Sequence, residues 1–188
     1  AAMGDLRRVG ARSGSETIAA WLLESAREID AQTDMLCALD AALGDGDHGT
    51  NMRSGFEAVR RVVDARPPGM LPGPLLTLVG KTLISTIGGA SGALWGFGFR
   101  RAGRALGDVE ELDGAALTAM LEAMVTAVVD LGEAEPGDKT MLDALLPAAQ
   151  AFRAAVDGGA SVGEAAASAA TAARAGADAT ATMEARKG

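Results

Sequence analysis

Asp113-Gly114-Ala115-Ala116-Leu117-Thr118-Ala119-Met120-Leu121-Glu122-Ala123-Met124-Val125-Thr126-Ala127-Val128-Val129-Asp130-Leu131 carries large apolar side chains at helical spacing. Leu117, Met120, Leu121, Met124 and Val128 form one stripe, and Asp113 occupies the N-cap position. The same period recurs on both sides. Downstream, Thr140 with Asp143 resembles a capping box opening a helix over Met141–Val156, and Ser161 to Arg186 is alanine-dominated and helix-prone. Upstream, a helix is predicted from about Ser91 through Leu106 with Leu94, Phe97 and Ala102 in its stripe, and another over Leu75–Ile87, broken at Gly88-Gly89. Met52, Phe56, Val59 and Val63 mark a helix that Thr50 or Asn51 can cap. Met35, Leu36 and Leu39 mark a short one, and Ser15 precedes a first one with Ile18, Trp21, Leu22, Ser25 and Ile29 on one face. The Arg66–Pro74 segment is a turn-rich connector. No strand alternation appears. The expectation is one all-α domain of about eight helices over 1–188, with Ala1-Ala2 read as an expression remnant.

Composition agrees. Aromatics make up 3% of 188 residues and tyrosine is absent, so Ala, Leu, Met and Val must fill the interior, a palette suited to close-packed helices. The net charge of −8 argues against nucleic acid or an anionic membrane as partner. An acidic chain binds phosphates only if a metal ion or helix N-termini offset the repulsion. Cys37 is the single cysteine, which excludes an intrachain disulfide and a thiolate metal cluster. No stretch reads as long and apolar enough to span a bilayer, the N-terminus shows no signal-peptide core, and a cytoplasmic location is expected.

The chemistry concentrates in Asp40-Ala41-Ala42-Leu43-Gly44-Asp45-Gly46-Asp47-His48-Gly49. Glycines at 44, 46 and 49 allow Asp40, Asp45 and Asp47 to turn toward one spot, where they repel unless a divalent cation neutralises them. Magnesium suits a few carboxylates with phosphate oxygens and water. The bland alternative is a solvated acidic turn capping the next helix. A calcium EF-hand fails: with Asp45 first, the sixth position is Thr50 and the twelfth is Phe56, where Gly and Glu are needed. His48-Gly49-Thr50-Asn51 then begins a helix whose free N–H groups and dipole favour a phosphate. For His48, the single histidine, the backbone is expected to matter more than the ring. A second glycine-rich loop, Gly88-Gly89-Ala90-Ser91-Gly92, also opens a helix. Gly80-Lys81-Thr82 imitates the end of a P-loop, but Leu75 occupies the position of its first glycine and no strand precedes it.

These stretches, with Gly137-Asp138-Lys139-Thr140-Met141-Leu142-Asp143, Gly176-Ala177-Asp178-Ala179-Thr180 and Met183-Glu184-Ala185-Arg186-Lys187-Gly188, resemble the nucleotide-binding domain of dihydroxyacetone kinases. As a separate chain that domain is the L subunit of the phosphotransferase-system-dependent enzyme; it also forms the C-terminal half of ATP-dependent dihydroxyacetone kinases. The resemblance implies a barrel of eight antiparallel helices with the nucleotide at one end. It implies two magnesium ions at Asp40, Asp45 and Asp47, and nucleotide contacts at His48, Gly49, Thr50, Asn51, Ala90, Ser91, Gly132 and Met141. In the phosphotransferase version, bound ADP is a fixed cofactor. It accepts phosphate from a phosphohistidine on an M subunit and passes it to dihydroxyacetone held by a K subunit. Some L subunits also contact a transcription regulator. Family members continue past the Arg186-Lys187-Gly188 position into an arginine-containing segment with Asp-Pro-Gly that closes over the nucleotide.

Three functions are compatible with these residues. One is a phosphoryl-relay subunit with embedded Mg-ADP, and a second is an ATP-exchanging kinase domain. The third is a nucleotide-sensing module that docks on a regulator without turnover.

Overall fold

The computed structural model describes residues 13–42 and 44–187; Ala1-Ala2, read as a remnant, lie outside them. Among the described residues there are eight α-helices: α1 (Gly14–Ala31), α2 (Thr33–Asp40), α3 (His48–Asp64), α4 (Pro72–Thr86), α5 (Gly89–Leu106), α6 (Gly114–Gly132), α7 (Leu142–Asp157) and α8 (Val162–Ala179). A 3-10 turn at Thr180–Thr182 follows, and no strand occurs among the described residues. The all-α expectation holds.

Local chemistry sets the ends. Ser13, not Ser15, caps α1 in a full capping box with Glu16; the Ser-x-x-Glu spacing is present in the sequence two residues earlier than the expected start. Ser161 and Glu164 make the same box on α8, and Asp113 caps α6 through the Ala116 amide. Proline at the first turn of α4 fits a position whose N–H has no helical partner. At α3 the cap position is Asp47, one turn ahead of Thr50 and Asn51, so those residues lie inside the helix.

Short connections make consecutive helices antiparallel from α3 to α8, and packing follows chain order there. Helix α1 lies against α3 and α4, with Asp30 at its end beside Arg53 near the start of α3, and the short α2 links α1 to α3. The interior is aliphatic: Leu22, Leu75, Leu76, Leu83, Val59, Val63 and Val79 are fully buried, with Met52, Phe56, Met120 and Met124 around them. Trp21 meets Phe99 with ring centroids 5.8 Å apart. The expected α5 stripe is corrected here. Phe97 is exposed and Phe99 buried, because α5 turns Gly96 and Gly103 toward α4 and the two backbones nearly touch at Gly73, Gly80, Gly96 and Gly103. Gly80 of the P-loop imitation lies in that seam, inside α4.

The bilayer expectation also needs correction. By length and composition α6 is apolar enough to cross a membrane. Its two charged residues instead pair with flanking helices, Asp130 with Arg101 of α5 at 2.5 Å and Glu122 with Arg153 of α7. Met120, Met124 and Val128 are buried in the protein core.

One proline shapes the α7–α8 seam. Pro147 has no N–H, so the Asp143 carbonyl four residues earlier lacks its helical donor. Gly176 of α8 packs onto that carbonyl; a Cβ there would lie 2.1 Å from the oxygen.

Candidate metal and nucleotide site

Alternating helix directions bring the α2–α3, α4–α5 and α6–α7 connections, and the chain after α8, to the same end of the molecule. All the sequence-predicted site residues fall at the first three of these segments or on the helix turns beside them.

Asp40 is the last residue of α2, and Asp45 and Asp47 lie on the loop into α3. One carboxylate oxygen of each lies within 4.8 Å of the others. The spacing follows from local geometry. The Gly44 amide donates to the Asp40 carbonyl, and Gly46 turns the chain at φ +78°, a conformation that side-chain-bearing residues rarely adopt. The His48 amide donates to Asp40 Oδ2 at 3.2 Å, tying the end of α2 to the start of α3. Gly49 allows α3 to lie directly on α2: a Cβ there would sit 2.1 Å from the Thr33 carbonyl oxygen and 2.8 Å from Cys37 Sγ. Asp45 and Asp47 are exposed and Asp40 is half-buried. The donor set is all oxygen, open to solvent on one side, which fits a hard cation that keeps water and phosphate oxygens in its shell.

His48, Gly49, Thr50 and Asn51 form the first turn of α3, with the Thr50 hydroxyl and the Asn51 amide both turned back onto the Asp47 carbonyl. The amides of His48 and Asn51 are thus engaged internally. Ala90 and Ser91 open α5 just after Gly89, itself at φ +66°. Gly132 ends α6 against Leu94, one turn into α5 from Ser91, so the α5 and α6 ends adjoin. Met141 is the residue before α7.

The α6–α7 loop contains a network that helix periodicity does not reveal. Asp143, buried, accepts hydrogen bonds from the amides of Gly137 at 2.5 Å and Thr140 at 2.9 Å. The expected capping box is half formed. Asp143 reaches back to the Thr140 amide, while the Thr140 hydroxyl accepts from Leu142 instead of Asp143. Burial pushes the Asp143 carboxyl up, but the amides of Gly137, Thr140, Lys139 and its own backbone together outweigh that and hold it below the usual 3.8. Asp138, also buried, accepts from the Glu135 amide at 2.9 Å.

The sequence pattern of the DAK2 domain matches residues 42–188. The chain belongs to the DAK2 family. This DAK2 chain is 37% identical over 168 residues to the ADP-binding subunit DhaL of the PEP-dependent dihydroxyacetone kinase of Escherichia coli, covering 89% of this chain and 80% of that subunit. It is 38% identical over 184 residues to the L-erythrulose 1-kinase of Mycolicibacterium smegmatis, covering 95% of this chain but 31% of that enzyme. In structure it resembles the dihydroxyacetone kinase of C. freundii solved with AMP-PNP and Mg2+, with a TM-score of 0.75 and 26% identity over 90% of this chain and 29% of that one. DAK2 chains thus occur both in proteins of about this length and as a minor part of longer kinases.

Proposed function

We propose that this chain is the nucleotide-binding, phosphoryl-relay subunit of a PEP-dependent dihydroxyacetone kinase. The observation that carries the reading is the convergence of Asp40, Asp45 and Asp47 within 4.8 Å at the start of α3, in a chain alike over most of its length to an ADP-binding subunit. Asp40, Asp45 and Asp47 hold magnesium, two ions in this reading, and His48 to Asn51, Ala90, Ser91, Gly132 and Met141 surround ADP. When bound, the metal supplies charge neutralisation for the phosphate oxygens and fixes their orientation. The chain's own contribution is positional. The tie between the His48 amide and Asp40 fixes the carboxylate facing the α3 dipole, and the two glycine-rich turns bring backbone close to the ligand without side-chain obstruction. No side chain needs to act as a covalent nucleophile. A phosphohistidine on an M-type subunit is the donor, a K-type subunit presents dihydroxyacetone, and the complex works in the cytoplasm.

A second reading has its own support. The 38% identity to an erythrulose kinase extends over 95% of this chain, which fits a domain of an ATP-dependent ketose kinase with exchangeable nucleotide. Native mass spectrometry of the purified protein, with and without EDTA, separates the two. Retained ADP plus magnesium, released by the chelator and gaining one phosphate from a phosphorylated donor subunit, supports the relay. Rapid exchange with free ATP supports the kinase domain. A chain that stays bare in saturating Mg-ADP refutes both and leaves the acidic loop as a turn.

A further inference from the structure

The chain after α8 does not run free of the site end. Lys139 Nζ donates to the Met183 carbonyl at 3.2 Å, a contact bridging 44 residues. The Arg186 amide donates to the Asp138 carbonyl at 3.1 Å, and the Arg186 guanidinium lies 3.9 Å from the Asp138 carboxylate. Both anchoring residues sit on a loop already stiffened from within. Asp138 is buried and accepts from the Glu135 amide, and Asp143 gathers the Gly137 and Thr140 amides. Lys139 is held at φ +60°, a left-handed backbone conformation that a non-glycine residue adopts at a cost, and in this loop it accompanies the amine's contact with Met183. Two contacts, at Asp138 and Lys139, therefore tie residues 183–186 to the α6–α7 loop, the loop that ends at Met141.

We infer that Asp138 and Lys139 are positioning residues: they clasp the Met183–Arg186 segment to the site end, so that this segment forms one wall of the nucleotide site and slows release of the bound nucleotide. The inference rests on the nucleotide reading above. The Asp40, Asp45 and Asp47 cluster belongs to the end of α2 and the loop after it, away from the clasp's contacts, so the clasp acts on retention and not on metal binding. The long ion pair, whose Arg186 side reaches into solvent, contributes little alone; the two hydrogen bonds to main-chain carbonyls define the path, and the charge-assisted one from the Lys139 amine is the accessible target for substitution.

The test uses the intact chain and three substitutions, Lys139→Met, Lys139→Arg and Asp138→Asn. Three quantities are read: hydrogen exchange of the Arg186 amide without nucleotide, the dissociation rate of Mg-ADP, and Mg2+ affinity. K139M is expected to speed both Arg186 exchange and Mg-ADP release by roughly tenfold, the scale of one lost charge-assisted hydrogen bond. K139R restores most of both, D138N, which keeps the Asp138 main-chain carbonyl and loses only the ion pair, stays near wild type, and Mg2+ affinity and Tm stay at wild-type values. Faster Arg186 exchange with unchanged Mg-ADP release would overturn the positioning role, as would unchanged exchange in K139M. A wild-type chain that takes up no Mg-ADP would overturn the nucleotide reading itself. Uptake by the wild type with unaltered release in the variants sinks only the clasp.

Discussion

Replacing Gly49 with alanine should weaken metal binding and also cost some stability, and the structure gives the scale of both effects. The new Cβ would lie 2.1 Å from the Thr33 carbonyl oxygen, and ordinary contact begins near 3.4 Å, so the two helices must part by about 1.3 Å. Cys37 Sγ and the Cys37 amide, at 2.8 and 3.0 Å, leave α2 no easy sideways route. Since α2 has only eight residues, such a shift carries Asp40 with it, while Asp45 and Asp47 stay with the α3 side. Magnesium demands near-ideal octahedral geometry at about 2.0–2.1 Å, so a displacement of this size costs roughly 10–100-fold in affinity. On stability the terms oppose. Alanine gains about 0.4–1 kcal/mol through the unfolded chain, whereas overpacking costs about 1–3 kcal/mol. The expected net is a loss of about 1–2 kcal/mol, within reach of a chain that still folds. Titration calorimetry with Mg-ADP and urea unfolding measure the two effects. Gly163→Ala, where nothing lies within 4 Å of the added Cβ, is the control: it should gain slightly in stability and leave Mg-ADP binding unchanged. Wild-type affinity in the Gly49→Ala protein would refute the argument that the α2–α3 contact sets the carboxylate spacing.

Asp45→Ala and Asp47→Ala should each lose metal and nucleotide together, at least about 100-fold, with an unchanged far-UV circular dichroism spectrum. Retained ADP binding in either would sink the assignment. Gly176→Ala forces α8 off the Asp143 carbonyl and should cost about 1–3 kcal/mol, seen as a lower urea midpoint. The α6–α7 loop should loosen in acid. Asp143 titrates below 3.8 when folded, so its stabilisation is complete above that pH and is lost as pH falls through the lower native value. Amide exchange at Gly137 and Thr140 should accelerate over that range, and Asp143→Asn should remove the acid step.

Much of the fold was legible because helix periodicity is local. Met52, Phe56, Val59 and Val63 all lie on the buried side of α3, and Met120, Met124 and Val128 on that of α6. Misreadings came where tertiary approach overrides local pattern. Phe97 looks like a core residue at three-residue spacing from Leu94, yet the glycines of α5 choose its inward face by where α4 comes near. Thr50 is a good capping residue by type, but α3 already begins at His48, with the Asn51 amide donating to the Asp47 carbonyl. The acidic loop announced itself through its glycine spacing. Beyond the Thr140–Asp143 spacing, the network around Asp138 and Lys139 did not. Its partner segment lies more than forty residues away, and no periodicity connects Lys139 with Met183.

The alternation of helix directions also divides the connections by tolerance to alteration. Those at the opposite end, Ala65–Leu71, Gly107–Asp113 and Gly158–Ser161, carry none of the residues discussed as ligands. The Pro67-Pro68-Gly69 tip has Gly69 at φ +78° with nothing near its Cβ position. A peptide inserted there, or a protease nick between Pro68 and Gly69, leaves every helix pair across the break still packed. The two fragments should then stay associated with the nucleotide end undisturbed, which makes this loop the natural place for an affinity tag or a fluorophore.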